Sequence, residues 1–220
     1  MVAGRSAETV KVFKEELLKH GGQASQIQYI AIDMSPAYEK GARDVFPLAQ
    51  VVNDKFHIMQ LAGVAVDEVR KELRREGADL AGALWAVRGN AWTRSEEQLE
   101  LRNALTKSYP KLARALLLRD MLQDALASGD TEVLRWWISR ARRSRLDPFK
   151  KLALTILAHW GGVVAALETG LTNGLVEAIN GLLQLAKRMA RGFRSFTYFQ
   201  TVAYLKTAKL KLHLPSILPT

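Results

Sequence analysis

Two short apolar runs, Ile27–Asp33 and Ala49–Val52, flank a helix opening at Ser35-Pro36, and this arrangement constrains the fold more than any other stretch. Each run is rich in Ile, Val or Tyr and bounded by polar residues, which predicts a strand. The first reads as buried. Ser35 supplies a cap and Pro36 a first-turn proline whose fixed φ suits a helix start. Tyr38, Ala42 and Val45 then fall on one inner face until Pro47. A strand, a helix and a second strand joined this way run parallel. Side chains at the C-terminal ends of both strands therefore converge on one edge. Asp33 ends the first strand, and Asn53-Asp54 closes the second.

The flanks are helical. Ser6 caps a first helix whose Val10, Phe13 and Leu17 repeat at helical spacing, and Gly21-Gly22 ends it. Beyond Asp54, Met59, Ala62, Val66, Val69 and Leu73 form one stripe of a long helix ending near Gly77. A short apolar stretch with Trp85 and a turn at Gly89-Asn90 follow. Thr93 and Glu96 fit a capping box for the next helix. Pro110 starts another, which stops near Gly129. Asp130 caps the helix with Trp136 and Trp137, and Asp147-Pro148 opens the one with Trp160. The tryptophans sit in apolar helical stretches and read as packing core. The chain is thus α/β but mostly helical, in three segments: 1–55, 56–169 and 170–220.

Leu171–Ser195 opens the last segment. Thr172, Asn173 and Gly174 supply turn and cap, and the helix is predicted to run to Arg191 with Gly192 as its stop. Glu177, Asn180, Gln184, Arg188 and Arg191 share one face, opposite Leu175, Ile179, Leu182, Leu183 and Ala186. A carboxylate followed by an amide and a basic ladder suits a metal site beside a polyanion. It equally describes a surface helix with one stray Glu. The net charge of +10 favours a polyanionic partner, nucleic acid or an anionic membrane surface. After Glu177 there is no Asp or Glu, while Lys187, Arg188, Arg191, Arg194, Lys206, Lys209 and Lys211 follow. That tail is either a phosphate-facing surface or a nonspecifically adhesive one.

A hydrophobic content of 48% is enough for a buried core. The chain has no cysteine, so disulfides and thiolate metal sites are excluded. No apolar run approaches a membrane span and no signal-peptide core opens the chain. The expectation is a soluble, cytoplasmic protein with no membrane partner.

Asp33 and Asp54 at neighbouring strand ends, with Glu177 on a packing helix, form a donor set that suits Mg²⁺, which prefers a few carboxylates and keeps sites for water and phosphate. Paired ions of this kind serve phosphodiester chemistry. The alternative is that Asp33 and Asp54 only cap the elements that follow. His57 lies three residues after Asp54 and, standing alone, is more often structural than catalytic. His20, His159 and His213 have no partner at metal-ligand spacing. Arg140, Arg142, Arg143 and Arg145 fit either a DNA backbone contact or a solvated helix end.

Three runs carry a resemblance: Ile32-Asp33-Met34-Ser35-Pro36-Ala37-Tyr38; Phe46-Pro47 through Asn53-Asp54-Lys55-Phe56-His57; and Leu171-Thr172-Asn173-Gly174 with Glu177, Asn180 and Arg191-Gly192-Phe193. In this order they resemble the catalytic region of bacterial insertion-sequence transposases of the DDE type, the ISL-three family, from Gly4-Arg5 to about Phe199. The resemblance implies a partial RNase H-like core, β-α-β plus C-terminal helices, interrupted by a large helical insertion. It implies DNA cleavage and joining with Mg²⁺ or Mn²⁺, DNA at transposon ends as partner, a homo-oligomer, and a bacterial, nucleoid-associated setting. Asp33 matches the second catalytic Asp and Glu177 the catalytic Glu; Asp54 and His57 match a recurring motif. Asp33, Glu177 and Asp54 are the expected metal ligands. Lys187, Arg188, Arg191, Arg194, Asn180 and His57 are the expected DNA contacts.

Two departures stand out. Ala178 replaces the family's usual Gly, and no Asp precedes Asp33. Glu8, Glu15 and Glu16 on the first helix are poor substitutes for the first catalytic Asp. The expectation is a chain that begins after the first strands of the core, inactive alone, with an exposed sheet edge beside Ile27–Asp33. The alternative is a non-catalytic DNA-binding or oligomerising remnant.

Overall fold

The computed structural model describes residues 6–80, 82–84, 95–171 and 174–207, with the backbone alone at 175–177 and 207. Two compact units divide the chain, Gly4–Thr172 and the segment from Asn173 onward. Among the described residues are ten α-helices and one two-stranded parallel sheet.

The larger unit opens with α1 (Ala7–Lys19), where the Ser6 N–H donates to Thr9 Oγ1 at 3.2 Å. The helix ends at Gly21, whose φ of 79° lets the Gly22 N–H turn back to the Leu17 carbonyl at 2.9 Å. α1 packs on α2 (Pro36–Val45). At their crossing a Cβ on Gly41 would lie 2.9 Å from Val10 Cγ2 and 3.0 Å from the Ala7 backbone, so the approach requires glycine. Phe13 leans on Phe46, ring centroids 6.3 Å apart.

β1 (Tyr29–Ile32) and β2 (Gln50–Asn53) pair in parallel, with Tyr29 opposite Gln50 and Ile32 opposite Asn53. The β-α-β order and direction read from the sequence hold. The buried β1 does not: Tyr29 and Ala31 are exposed, and Ile30 and Ile32 half-buried. The cause is coverage. α8 (Trp160–Thr169) packs on β2, where Val52 joins Ala165 and Ala166 in a small core, while β1 pairs, among the described residues, with β2 alone. Gly162 allows that helix to come so close, because a Cβ there would lie 2.8 Å from Asn53 Cγ.

The helical block comprises α3 (Lys55–Arg75), α4 (Glu96–Ser108), α5 (Pro110–Ser128), α6 (Thr131–Arg142) and α7 (Asp147–Ala158). α3 buries Ala62, Val66, Val69 and Leu73 of the expected stripe, with Ile58 and Ala65 added and Met59 only half-buried, against α5 and α7. Leu112, Leu122, Leu134, Phe149, Ile156 and Val163 continue the same core. Each large apolar side chain removed from water contributes roughly 1.5–3 kcal/mol.

Three sequence expectations change here. α4 is capped by Ser95 and Gln98, each side chain bonded to the other's N–H, at 3.3 and 3.0 Å, because Ser95 is the residue that directly precedes the helix; Thr93, Trp85 and Gly89-Asn90 lie outside the described residues. The helix opened by Asp147-Pro148 ends at Ala158, and α8 departs at 77°, so Trp160 belongs to α8. Trp137 is fully buried and its Nε1–H donates to the Leu118 carbonyl at 2.7 Å, but Trp136 is 53% exposed. Adjacent helical residues point about 100° apart, so only one of the two faces the core.

The C-terminal unit contains α9 (Gly174–Met189) and α10 (Phe196–Thr207). α9 stops short of Arg191. Arg191 and Gly192 take positive φ values of 53° and 99°, and the Gly192 N–H reaches the Lys187 carbonyl at 2.9 Å, a closure that ends a helix. Leu183, Ala186 and Ala203 are buried, and Phe193 stacks obliquely on Tyr198 and Phe199 at 5.7 and 5.2 Å. Among the described residues no single helix is long and apolar enough to cross a membrane.

Candidate functional site

The strand register determines the acidic edge. Ile32 lies opposite Asn53, so Asp33 and Asp54 leave neighbouring parallel strands at the same end, and the Asp54 N–H donates to the Ile32 carbonyl at 3.1 Å. The two carboxylates have different surroundings. Asp54 is buried and caps α3, its Oδ1 accepting from the Phe56 N–H at 3.1 Å. Asp33 is not the cap of α2, a position held by Ser35. Its Oδ1 is buried and has no hydrogen-bond partner.

A buried acceptor without a donor costs about 1–3 kcal/mol, more when charged, and is the kind of atom a ligand completes. Carboxylate oxygens are the hard donors Mg²⁺ takes, so Asp33, flanked by Asp54, fits the metal the sequence implies. Nearby, the fully buried Asn53 leaves Nδ2 without an acceptor. Among the described residues no three His, Asp or Glu side chains form a metal-binding group. Glu177 stands on α9 in the C-terminal unit, and its side chain lies outside the described residues. His57 is half-buried in the first turn of α3.

Spacing rules missed the contact of His159 with Glu39, 120 residues apart, Nδ1 to Oε2 at 2.9 Å. Arg43 Nη2 holds Glu39 Oε1 at 2.8 Å. The Arg43 hydrogen bond, opposed by burial and helped by His159, keeps the Glu39 carboxyl below its ordinary pKa. Only the bend between α7 and α8 brings His159 to α2, and no local pattern signals it.

Of the expected DNA contacts, all but the half-buried His57 are exposed. Asn180, Lys187 and Arg188 lie on α9, whereas Arg191 sits in the left-handed turn after it, off the helical ladder on which the sequence had placed it. Arg194 is exposed just before α10. The His213, Lys209 and Lys211 positions lie outside the described residues.

A family model described as transposase, of the DDE type and ISL-three group, matches residues 1–203. The transposase for insertion sequence element IS1001 of Bordetella parapertussis is 27% identical over 208 residues, covering 89% of this chain and 51% of that protein. The transposase for insertion sequence element IS1557 of Mycobacterium tuberculosis is 29% identical over 224 residues, covering 88% of this chain and 50% of its own length. The chain spans about half the length of the curated relatives it matches. No solved structure matches it. With the family model matched over nearly its whole length and the three motif runs in family order, the chain belongs to the ISL-three family of DDE-type insertion-sequence transposases.

Proposed function

We propose that this chain is a transposase catalytic-domain fragment that binds DNA and takes part in Mg²⁺- or Mn²⁺-dependent strand cleavage and transfer at transposon ends. One observation carries it: the buried, unpartnered Asp33 Oδ1 beside Asp54 at the shared end of two parallel strands. In this proposal residues 1–55 form the remnant of an RNase H-like core, 56–169 the helical insertion, and 170–220 the helices that bring Glu177 and a basic face.

In this reading Asp33 and Glu177 would hold the metal, with Asp54 able to add an oxygen only as far as its capping bond allows. When bound, the ion supplies charge neutralisation and activation for attack on a phosphodiester. The chain's own groups position the substrate. Lys187, Arg188, Arg191 and Arg194 neutralise phosphates, Asn180 offers an amide on the same helix, and His57 stands one turn after the acidic edge. Among the described residues β1 pairs with β2 alone, and a strand edge of that kind, which can accept a second copy, supports a homo-oligomer.

The test is nicking of supercoiled plasmid in Mg²⁺ or Mn²⁺ by the wild type, Asp33→Asn and Glu177→Ala, with thermal melting in the same buffers. A Mg²⁺-induced rise in Tm that Asp33→Asn lacks is expected, and any metal-dependent nicking the wild type retains should vanish in both variants. A Mg²⁺ response in Tm equal in wild type and Asp33→Asn would sink the proposal. A second function, DNA binding or oligomerisation without catalysis, is favoured by the exposed Lys187, Arg188, Arg191 and Arg194, which need no metal to meet phosphate. It predicts metal-independent DNA binding and no nicking by any form.

A further inference from the structure

A groove of about 660 Å³ opens between the start of α5 and the end of α6, lined by Ala113, Arg114, Leu117 and Leu118 on one side and Arg140, Arg143, Ser144 and Arg145 on the other. That volume is within the range of ligand sites. Four arginines line it and no carboxylate does. Elsewhere in this unit several arginines meet acids: Arg43 meets Glu39, Arg70 meets Asp67, Arg102 meets Asp120 and Arg135 meets Glu132, while Arg74, Arg75 and Arg142 form no such pair with a described residue. Among the described residues none of the four groove arginines forms such a pair.

Helix-end electrostatics accounts for only part of this. Arg143 Nε donates to the Ser139 carbonyl at 3.2 Å and Arg114 Nη1 to the Ser144 carbonyl at 3.1 Å, so these two satisfy the C-terminal end of α6. Arg140 and Arg145 are left over. Arg140 lies 5.5 Å from the ring centroid of the exposed Trp136. Arg145 has a left-handed φ of 61°, an unfavourable conformation for a residue with a Cβ. The turn imposes it: Ser144 Oγ donates to the Ala141 carbonyl at 2.6 Å and accepts from the Leu146 N–H at 3.2 Å. Leu146 itself is buried, which anchors the turn in the core. The Arg145 backbone is thus fixed at the mouth of the groove before any ligand arrives.

We infer that this groove is a second DNA-binding site, which takes the phosphodiester backbone of a duplex on the helical block. Four guanidinium groups around an apolar floor of Leu117 and Leu118 match phosphates alternating with sugar faces, and Arg is suited to bidentate phosphate contact. The surplus of positive charge and membership of a DNA-acting family select DNA among polyanions. The site stands independently of the acidic edge and does not require Asp33 to bind metal.

The test uses the full chain, a fluorescein-labelled 30-base-pair duplex of arbitrary sequence, and titrations from low to moderate salt without divalent metal. Replacing Arg114, Arg140 and Arg145 with Gln should weaken binding at least tenfold and lower the salt slope by about 0.9 for each phosphate that is no longer neutralised. Arg145→Gly is the decisive single variant. It removes the side chain while granting the turn a residue that favours positive φ, so it should melt no lower than wild type yet bind DNA several-fold more weakly. Unchanged affinity and slope in both variants overturns the inference. So does stabilisation of the wild type by inorganic phosphate that the triple variant loses while its DNA binding stays intact, since that marks a small-anion site. Because the titration contains no divalent metal, its outcome does not depend on any ion at Asp33 or Glu177, which separates failure of the groove from failure of the metal edge.

Discussion

The unit that ends at Thr172 and the helix pair that follows are built on different principles. In the first, residues far apart in sequence meet: Val52 packs with Ala165, Trp137 donates to the Leu118 carbonyl, and Glu39 pairs with His159. Its core runs through α3 to α8 with Ile58, Leu112, Leu122, Leu134 and Phe149 fully buried. In the second, described contacts are local, as in Phe193 against Tyr198 and Phe199, and among the described residues the buried hydrophobics are Leu183, Ala186 and Ala203. Leu182, Leu185 and Met189 of α9 stay exposed. A helix pair that buries so little gains little from packing, and isolated helices of this length are marginal in water. The lesson is a division of labour: a packed scaffold in one unit, an exposed basic surface in the other.

Core truncation gives the largest effect and tests that contrast directly. Leu122→Ala, at a fully buried site, should lower unfolding stability by about 2–5 kcal/mol. Leu183→Ala, in a helix pair that relaxes more readily, should cost about 1–2 kcal/mol at most. Urea unfolding followed by circular dichroism measures both. Equal losses would mean the C-terminal helices are packed as tightly as the block, and the contrast would fail.

An intermediate effect sharpens the account of how α8 sits on β2. Gly162→Ala puts a methyl into Asn53 Cγ, and overpacking of this kind costs about 1–3 kcal/mol. Asn53→Ala, which clears that space and removes the unpaired Nδ2, should recover part of the loss in the double variant. Tryptophan fluorescence during unfolding is a suitable probe, because every Trp precedes residue 161 and reports on the larger unit. A double variant as unstable as the sum of the singles would show that Gly162 matters for some other reason.

The same contrast explains what could be read from the sequence. The β-α-β order, the α3 stripe, the Pro110 and Asp130 helix starts and the Gly129 stop follow from rules acting within a few residues, and all appear in the structure. The exposure of β1 was not legible, because it depends on which strand α8 chooses to cover. Trp136 and Trp137 could not be told apart without knowing which face meets α5. At the candidate site, Asp33 and Asp54 were placed at one edge by chain order alone, but the capping bond of Asp54 and the orphaned oxygen of Asp33 needed coordinates. The groove arginines were visible only as a cluster at a helix end; Arg114, from another helix, completes them.

The smallest effect concerns acid. Glu39 holds its proton less tightly in the folded chain than its ordinary value of 4.5, with Arg43 as the leading cause and His159 behind it. A depressed carboxyl contributes stability above its unfolded pKa and loses it as pH falls through the folded value. The window therefore begins near pH 4.5 and extends downward. A partly exposed pair of this type is worth less than about 1 kcal/mol. Glu39→Gln should accordingly match wild type in very acid buffer, fall slightly below it at neutral pH, and flatten the fluorescence-detected stability profile between. The C-terminal pair offers the internal control, for no carboxylate side chain follows Glu177 and α10 has no acid to titrate. Hydrogen-exchange protection, corrected for intrinsic rates, should thus drop with acid in α2 and α8 of the wild type, less so in Glu39→Gln, while the effect of Glu39→Gln on α10 is nil. A pH response carried equally by α2 and α10 would show that acid acts through overall charge and not through the contact of Glu39 with Arg43 and His159.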